Sequence, residues 1–523
     1  MYSKNKKMNW IAKDDIIIFS PFFNDELDIE LISNYAKLIF SNYELRNTLF
    51  ETFENNNVLY KNIIESTFNQ EVNNLPTSLK YLIFGCRFNK EVNNLPQSLT
   101  HLTFGYLFNK EVNALPQNLT HLTFGYLFNQ EVDNLPQSLI YLTFDFSFNQ
   151  KVNYLPSSIK HLTLGSDFNQ EVNYLPISLT HLTFGNEFNQ EVLNLPQGIT
   201  HLVFGYDFNQ KVNNLPISLT HLTLGSDFNQ EVNALPQNLI HLTLSWYFNQ
   251  EVSNLPQKIT HLTFISNFNK KVNNLPQTIT HLTFGFNFNQ EVNNLPKSLI
   301  HLFFGENFNK KVNDLPQSIT HLTFGFNFNQ EVNKLPQNIT HLTFGFNFNQ
   351  EVNNLPKSLT YLFFGGNFNK KVNYLHQSLT HLFFGFNFNQ EVNYLPKSLT
   401  HLSFGKNFNK NYDIPSNIKY LKLDCNNQYL MDNLPDSIKE LELDNNFNLE
   451  LNNLPTSIHK ISFCMSSKYN AELNCLSNFV EFLQLPEQYN KKILYLPSGL
   501  KTIKCSENYA FLNDFSNLNI EYY

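Results

Sequence analysis

One twenty-residue phrase, repeated seventeen times without interruption between Phe68 and Asn407, governs what this chain of 523 residues can fold into. The phrase is Phe-Asn-x-x-Val-x-x-Leu-Pro-x-Ser-Leu-Thr-His-Leu-Thr-Phe-Gly-x-x. An internal repeat this short cannot close a core of its own. Each unit must bury its apolar residues against the units before and after it, which is the logic of a solenoid.

The unit Ile279 to Ser298 shows how a coil is expected to form. Leu282 and Phe284 alternate with His281 and Thr283, and period-two alternation in a Thr- and Phe-rich run predicts a short strand. One strand per coil, always running the same way, predicts a parallel sheet with neighbours about 4.8 Å apart. Ile279, Leu282, Phe284, Phe288, Val292 and Leu295 are the expected inward residues. Pro296 fixes an extended φ and needs no partner for a missing N–H. The slot of Gly285 holds 14 of the 17 glycines, which suggests a turn or a close backbone approach. Asn289, invariant in its slot, is expected to satisfy a tight turn and to bond along the stack. Twenty residues leave no room for a full helix, so the outer side should be extended or 3₁₀.

These residues carry a family resemblance. The Leu-x-x-Leu-x-Phe and Leu-Pro elements resemble short leucine-rich repeats, and the Phe-Asn-x-x-Val-x-x-Leu-Pro-x-Ser core is similar to the FNIP repeat of amoebae and of large DNA viruses that infect them. The departures are local: His376 replaces the proline; Asp145, Ser245 and Ile265 replace the glycine; Asp133, Leu193 and Ser253 replace the asparagine after valine. The resemblance implies a repeat-built interaction protein, and some family members carry an N-terminal F-box that connects to ubiquitin ligases.

The expected fold class is therefore mainly β: a leucine-rich-repeat-like parallel-strand solenoid of 20-residue units with a small N-terminal helical cap. Three regions are expected. Residues 1–67 form a helical cap, with a helix read over Asp28–Phe53, or a degenerate F-box-like region. The usual Leu-Pro start of an F-box is absent, Asn24-Asp25-Glu26-Leu27 being the nearest match. Residues 68–407 are the regular repeats. Residues 408–523 are degenerate repeats and a C-terminal cap, with Leu434-Pro435, Leu454-Pro455 and Leu496-Pro497 keeping the beat.

Bulk chemistry narrows the function. A net charge of −8 offers phosphate backbones no attraction, so nucleic acid is not an expected partner. No apolar stretch is long enough to suggest a membrane span. Five scattered cysteines without a CxxC spacing read as reduced thiols, hence a cytoplasmic protein, in the host cytoplasm if viral. Nucleophile, base and phosphate-loop motifs are missing, no cofactor is expected, and a surface of identical copies lacks the asymmetric cluster that catalysis needs.

Binding is the expected role, of a protein or peptide along the concave sheet face, with a ubiquitin-ligase adaptor at the N-terminal region as the alternative partner. Histidine recurs in one slot, His241, His261 and His281 among them, with Tyr81, Tyr141 and Tyr361 as substitutes. This column reads either as surface stacking or as a titrating feature; no Asp, Glu or Cys column accompanies it to complete a metal shell. The slot after the glycine varies and is often aromatic: Tyr106, Tyr126, Tyr206, Trp246 (followed by Tyr247), Phe286, Phe326, Phe346 and Phe386. These rings read as interface anchors or as neighbours packing on one another. The Lys and Glu residues before each valine read as a solvated face with weak pairing between coils.

Overall fold

The computed structural model describes residues 10–13, 16–19, 27, 32, 35–40, 66–452 and 454–523, which fall into two compact units, Met1–Ile265 and Ser266–Tyr523. Each is a parallel-strand solenoid.

In the first unit a hairpin of β1 (Trp10–Lys13) and β2 (Ile16–Phe19) is antiparallel. β2 then pairs in parallel with β3 (Lys37–Phe40), and β3 with β4 (Tyr81–Ile83). From there a three- or four-residue strand recurs every coil through His261–Phe264. Like pairs with like: His101 lies beside His121, Leu102 beside Leu122 and Thr103 beside Thr123. In the second unit the same ladder runs from His281–Thr283 to Asn519–Tyr522, every pairing parallel.

The six expected inward residues of the unit Ile279 to Ser298 are all buried. Rings form the spine of the core. Phe284 and Phe288 stack at 3.8 Å within one coil, and each meets its counterpart in the next coil at 5.7 and 6.0 Å. A β-turn follows each strand, closed in this coil by the Phe288 N–H donating to the Gly285 carbonyl at 3.3 Å. A second turn follows the Leu-Pro step, where the Leu299 N–H donates to the Pro296 carbonyl. That second turn survives the loss of proline, since the Leu379 N–H donates to the His376 carbonyl. The outer side is extended chain and turns. A short α-helix, Gln428–Asp432, capped by Asn427, lies in the degenerate region, and Ile32, within the span expected to be helical near the N-terminus, is helical as well.

The glycine column resolves in favour of close approach. No described glycine has a positive φ. A Cβ on Gly325 would instead lie 2.1 Å from the Gly305 carbonyl oxygen of the preceding coil. Asp145 replaces the glycine with no change in strand length, Tyr141–Thr143 keeping three residues. At Ser245 and Ile265 the strand gains a residue, Leu244 pairing with Phe264, and the Ser245 hydroxyl donates to the Phe228 carbonyl.

Two expectations need correction. The helix read over Asp28–Phe53 contains a strand, Lys37–Phe40, in the same parallel ladder as the repeats. Leu38 and Ile39 are both buried, and a short run apolar on both faces looks alike as strand or helix. The remainder of that helix and the F-box-like motif at Asn24–Leu27 lie almost wholly outside the described residues. Among the described residues the pairing expected between Lys and Glu before each valine is also not made. Glu291 accepts from the Asn293 side chain of its own coil at 3.3 Å, and the same bond recurs at Glu331 and Glu351.

Candidate interaction face

The strand slot that begins His-Leu-Thr aims its first side chain outward and its leucine into the core, so the in-register sheet turns one residue type into a column. In the first unit Tyr81, His101, His121, Tyr141 and His161 stack in succession at 4.0–4.3 Å, and the column continues to His241 and His261, 4.2 Å apart. In the second unit His281 and His301 are 4.4 Å apart, and the column reaches His401. Tyr81 and Tyr141 keep the stack because a phenol ring occupies the same slot, whereas at Tyr361 it loosens, with His341 at 5.7 Å and His381 tilted at 5.9 Å.

Each imidazole is also held from the side. The Thr120 hydroxyl lies 2.9 Å from the His121 Nδ1 and 3.1 Å from the Thr100 carbonyl oxygen one coil back. A hydroxyl has a single proton; when it goes to the carbonyl, Nδ1–H donates to Oγ1 and the Nε2 lone pair is left facing out. The pairing repeats at His261 and His281, whereas His241 follows Ile240 and lacks it. Burial between rings disfavours the charged form, and neighbouring imidazoles add to it. His181, His201 and His221 are lowered for both reasons, and so is His321 in the second unit. His101 falls to about 4, where burial leads, and His121 and Lys37 contribute.

The aromatic slot divides into two kinds of site. Tyr106, Tyr126 and Phe146 stack at 4.5 Å per step, and Phe326 stacks on Phe346 at 4.9 Å. Phe346 meets Phe386 at 6.4 Å across the intervening coil, which has Gly366 in the slot; a Cβ there would strike the Phe346 ring. Trp246 and Phe286, each 49% exposed, make no ring contact among the described residues. Near Trp246, Tyr247 faces the Tyr206 hydroxyl and raises its pKa, with partial burial and Asp227 adding to the effect. Trp246, Tyr247 and Tyr206 are therefore exposed rings without a stacking role.

Asparagine supplies a feature the sequence reading passed over. The expected ladder is present: Asn329 Oδ1 accepts from the Asn349 backbone N–H at 2.9 Å, and so on along the stack. In the second unit a further column stands beside it, in which Asn327 Nδ2 donates to Asn307 Oδ1 and Asn347 Nδ2 to Asn327 Oδ1 at 2.8–2.9 Å. Eleven asparagines of the two columns, from Asn309 to Asn409, line a groove of about 1170 Å³. The signal was in the sequence: this slot is asparagine in every coil from Asn267 to Asn407, but holds Leu107, Ser147, Asp167 and Glu187 in earlier coils.

Among the described residues no cluster of three or more His, Cys, Asp or Glu is placed to hold a metal, and no helix is long and apolar enough to cross a membrane. All five cysteines are free thiols.

Comparison with known proteins places this architecture. The FNIP Repeat model matches sixteen overlapping segments, from residues 68–107 to residues 426–465. The chain belongs to the FNIP repeat family. A solved structure titled as that of CroV588, a novel circular LRR protein, is similar at 33% identity and a TM-score of 0.68, over 98% of this chain and 100% of that one. YopM from Yersinia enterocolitica matches at 18% identity and a TM-score of 0.40, over 84% of this chain and 90% of its own. No curated protein matches the sequence significantly. The FNIP coils are thus leucine-rich-repeat-like, a fold typical of protein-interaction scaffolds.

Proposed function

We propose that this FNIP repeat chain is a non-enzymatic scaffold that binds a protein or peptide partner along the sheet face bearing the histidine and threonine columns. One observation carries the reading: Trp246 and Tyr247 stand exposed beside that face with no stacking duty, while most other rings of the slot are engaged along the stack. Exposed aromatic side chains of this kind are the usual carriers of interface energy, since they bring much apolar area at little conformational cost. Catalysis fits the face poorly. Successive coils present the same groups in the same geometry, so no single place gathers a nucleophile, a base and an orienting group.

The test is cross-linking of the intact protein to its partner, followed by the variant Trp246→Ala/Tyr247→Ala. Truncating two anchor rings should weaken capture by about tenfold or more while leaving the melting temperature unchanged. Capture equal to that of the unaltered chain would remove the aromatic anchors from the account.

A further inference from the structure

The outer rim of each coil, from the valine to the proline, holds one shape through most of the array. A turn occupies the two residues before the leucine in every regular coil up to residues 353–354, and that leucine is buried from Leu75 to Leu335. Beyond this point the rim loosens. Leu355, Leu375 and Leu395 are only half-buried, and the turn is lost at residues 373–374 and again at 393–394. Tyr394 takes a φ of 61°, the one positive value among the described non-glycine residues and a costly conformation for a side chain with a β-carbon. The bond that Asn353 donates to Glu351 has no counterpart between Asn393 and Glu391 among the described residues.

The core beneath does not follow. Strand Tyr361–Phe363 pairs in register with His381–Phe383, and that strand with the one beginning at His401. Phe364 stacks on Phe368 at 3.8 Å and on Phe384 at 5.7 Å, as Phe284 does on Phe288 and Phe304. Only the exposed ring column relaxes, at Tyr361.

Local sequence is not the cause. Residues 171–176 and 391–396 are the same hexapeptide, Glu-Val-Asn-Tyr-Leu-Pro. The first keeps its turn and buries Leu175; the second does neither. The difference lies in the coils on either side, because a rim is covered only by adjacent rims. Tyr174 sits between full-length coils that carry Pro156 and Pro196. Tyr394 has on one side an exposed His376, whose φ no ring locks. On its other side the rim from Asn409 to Pro415 is one residue shorter than that from Asn389 to Pro396. Its support is weakened on both faces.

We propose that residues 373–376 and 393–396 form a seam in the outer rim that opens as a local unit while the strands beneath stay paired. Opening uncovers Val372 and Val392, each 4% exposed when the rim is closed, and gives the stack a place to yield without losing its sheet. The seam does not depend on the partner proposed above.

Hydrogen exchange of the intact chain, read at single amides, tests this together with limited chymotrypsin cleavage. The Leu379 and Leu399 N–H groups bond to the carbonyls of His376 and Pro396, as those of Leu299 and Ile319 do to Pro296 and Pro316. The first pair should exchange about tenfold or more faster than the second, while the strand amides of Leu382 and Leu402 stay as slow as that of Leu322. Cleavage after Tyr374 and Tyr394 should be about tenfold or more faster than after Tyr154 and Tyr174, which occupy the same exposed slot but keep their turns. His376→Pro should slow cleavage after Tyr374 by about twofold to fivefold and leave cleavage after Tyr154 unchanged. Equal cleavage at the four tyrosines, equal exchange of the two amide pairs, or no slowing by His376→Pro would overturn the proposal. So would exchange of Leu382 and Leu402 as fast as that of Leu379, since the whole coil rather than its rim would then be opening.

Discussion

At the residue scale, the stack tolerates a side chain only where the coil before leaves room. Gly325 has none: a Cβ would lie 2.1 Å from the Gly305 oxygen and 2.3 Å from its carbon. Gly325→Ala must push two coils apart, and a loss of about 1–3 kcal/mol is expected in chemical denaturation. Gly198 is the opposite case. Its slot is serine in neighbouring coils, where the Ser178 and Ser218 hydroxyls each donate to a carbonyl of the preceding coil at 2.6 Å. Gly198→Ser would supply the same bond to Leu179 and also restrict the unfolded chain, so a gain of about 0.5–1 kcal/mol is expected. A tolerated alanine at 325, or a destabilising serine at 198, would contradict this account of coil contact. The glycine slot was legible in the sequence, but its cause was not. A turn needing positive φ and a close approach both select glycine, and only the neighbouring coil's carbonyl distinguishes them.

At the scale of the strand and its column, the imidazoles couple folding to pH. Burial lowers His101, His121, His161, His181, His201 and His221 in the first unit, and neighbouring imidazoles add to it at all of these but His121. Their folded pKa values lie below the unfolded value of about 6.5. The stability they contribute is therefore complete above about pH 6.5 and is lost as pH falls through that value toward the folded ones, about 4 for His101. Melting temperature should fall between about pH 8 and pH 5, and replacing His181, His201 and His221 by tyrosine, the residue that nature places at 141, should flatten the fall. A flat profile in the unaltered chain would remove the coupling. Strand periodicity was legible wherever polar and apolar residues alternate, as in His281-Leu282-Thr283-Phe284. It failed at Leu38-Ile39, which is apolar on both faces, and at Asn519–Tyr522, which no Leu-Pro step announces.

At the scale of the whole molecule, stability is a sum of coils and of contacts between neighbours, because each coil buries its rings only against adjacent ones. The register made the core legible: six inward slots, read from one unit, are buried through nearly all of the regular coils. What registers against what across coils was harder to see. The asparagine groove depends on two slots that are ordinary within one phrase and become a surface only when the same choice persists from Asn309 to Asn409. The absence of ion pairs at Glu291 has the same origin, since the carboxylate finds an amide two residues along its own chain before it reaches the next coil.

In-register stacking makes its most direct prediction for deletions within the second unit. Removing Asn309–Phe328, one full period, joins Phe308 to Asn329 and restores the phrase, whereas removing 309–318 moves every later side chain out of its column. Thermal melts followed by far-ultraviolet circular dichroism should show the full-period deletion melting cooperatively within about 5 °C of the unaltered chain, and the half-period deletion losing cooperative melting. Equal tolerance of the two deletions would contradict the claim that these coils hold together by matching like residues to like.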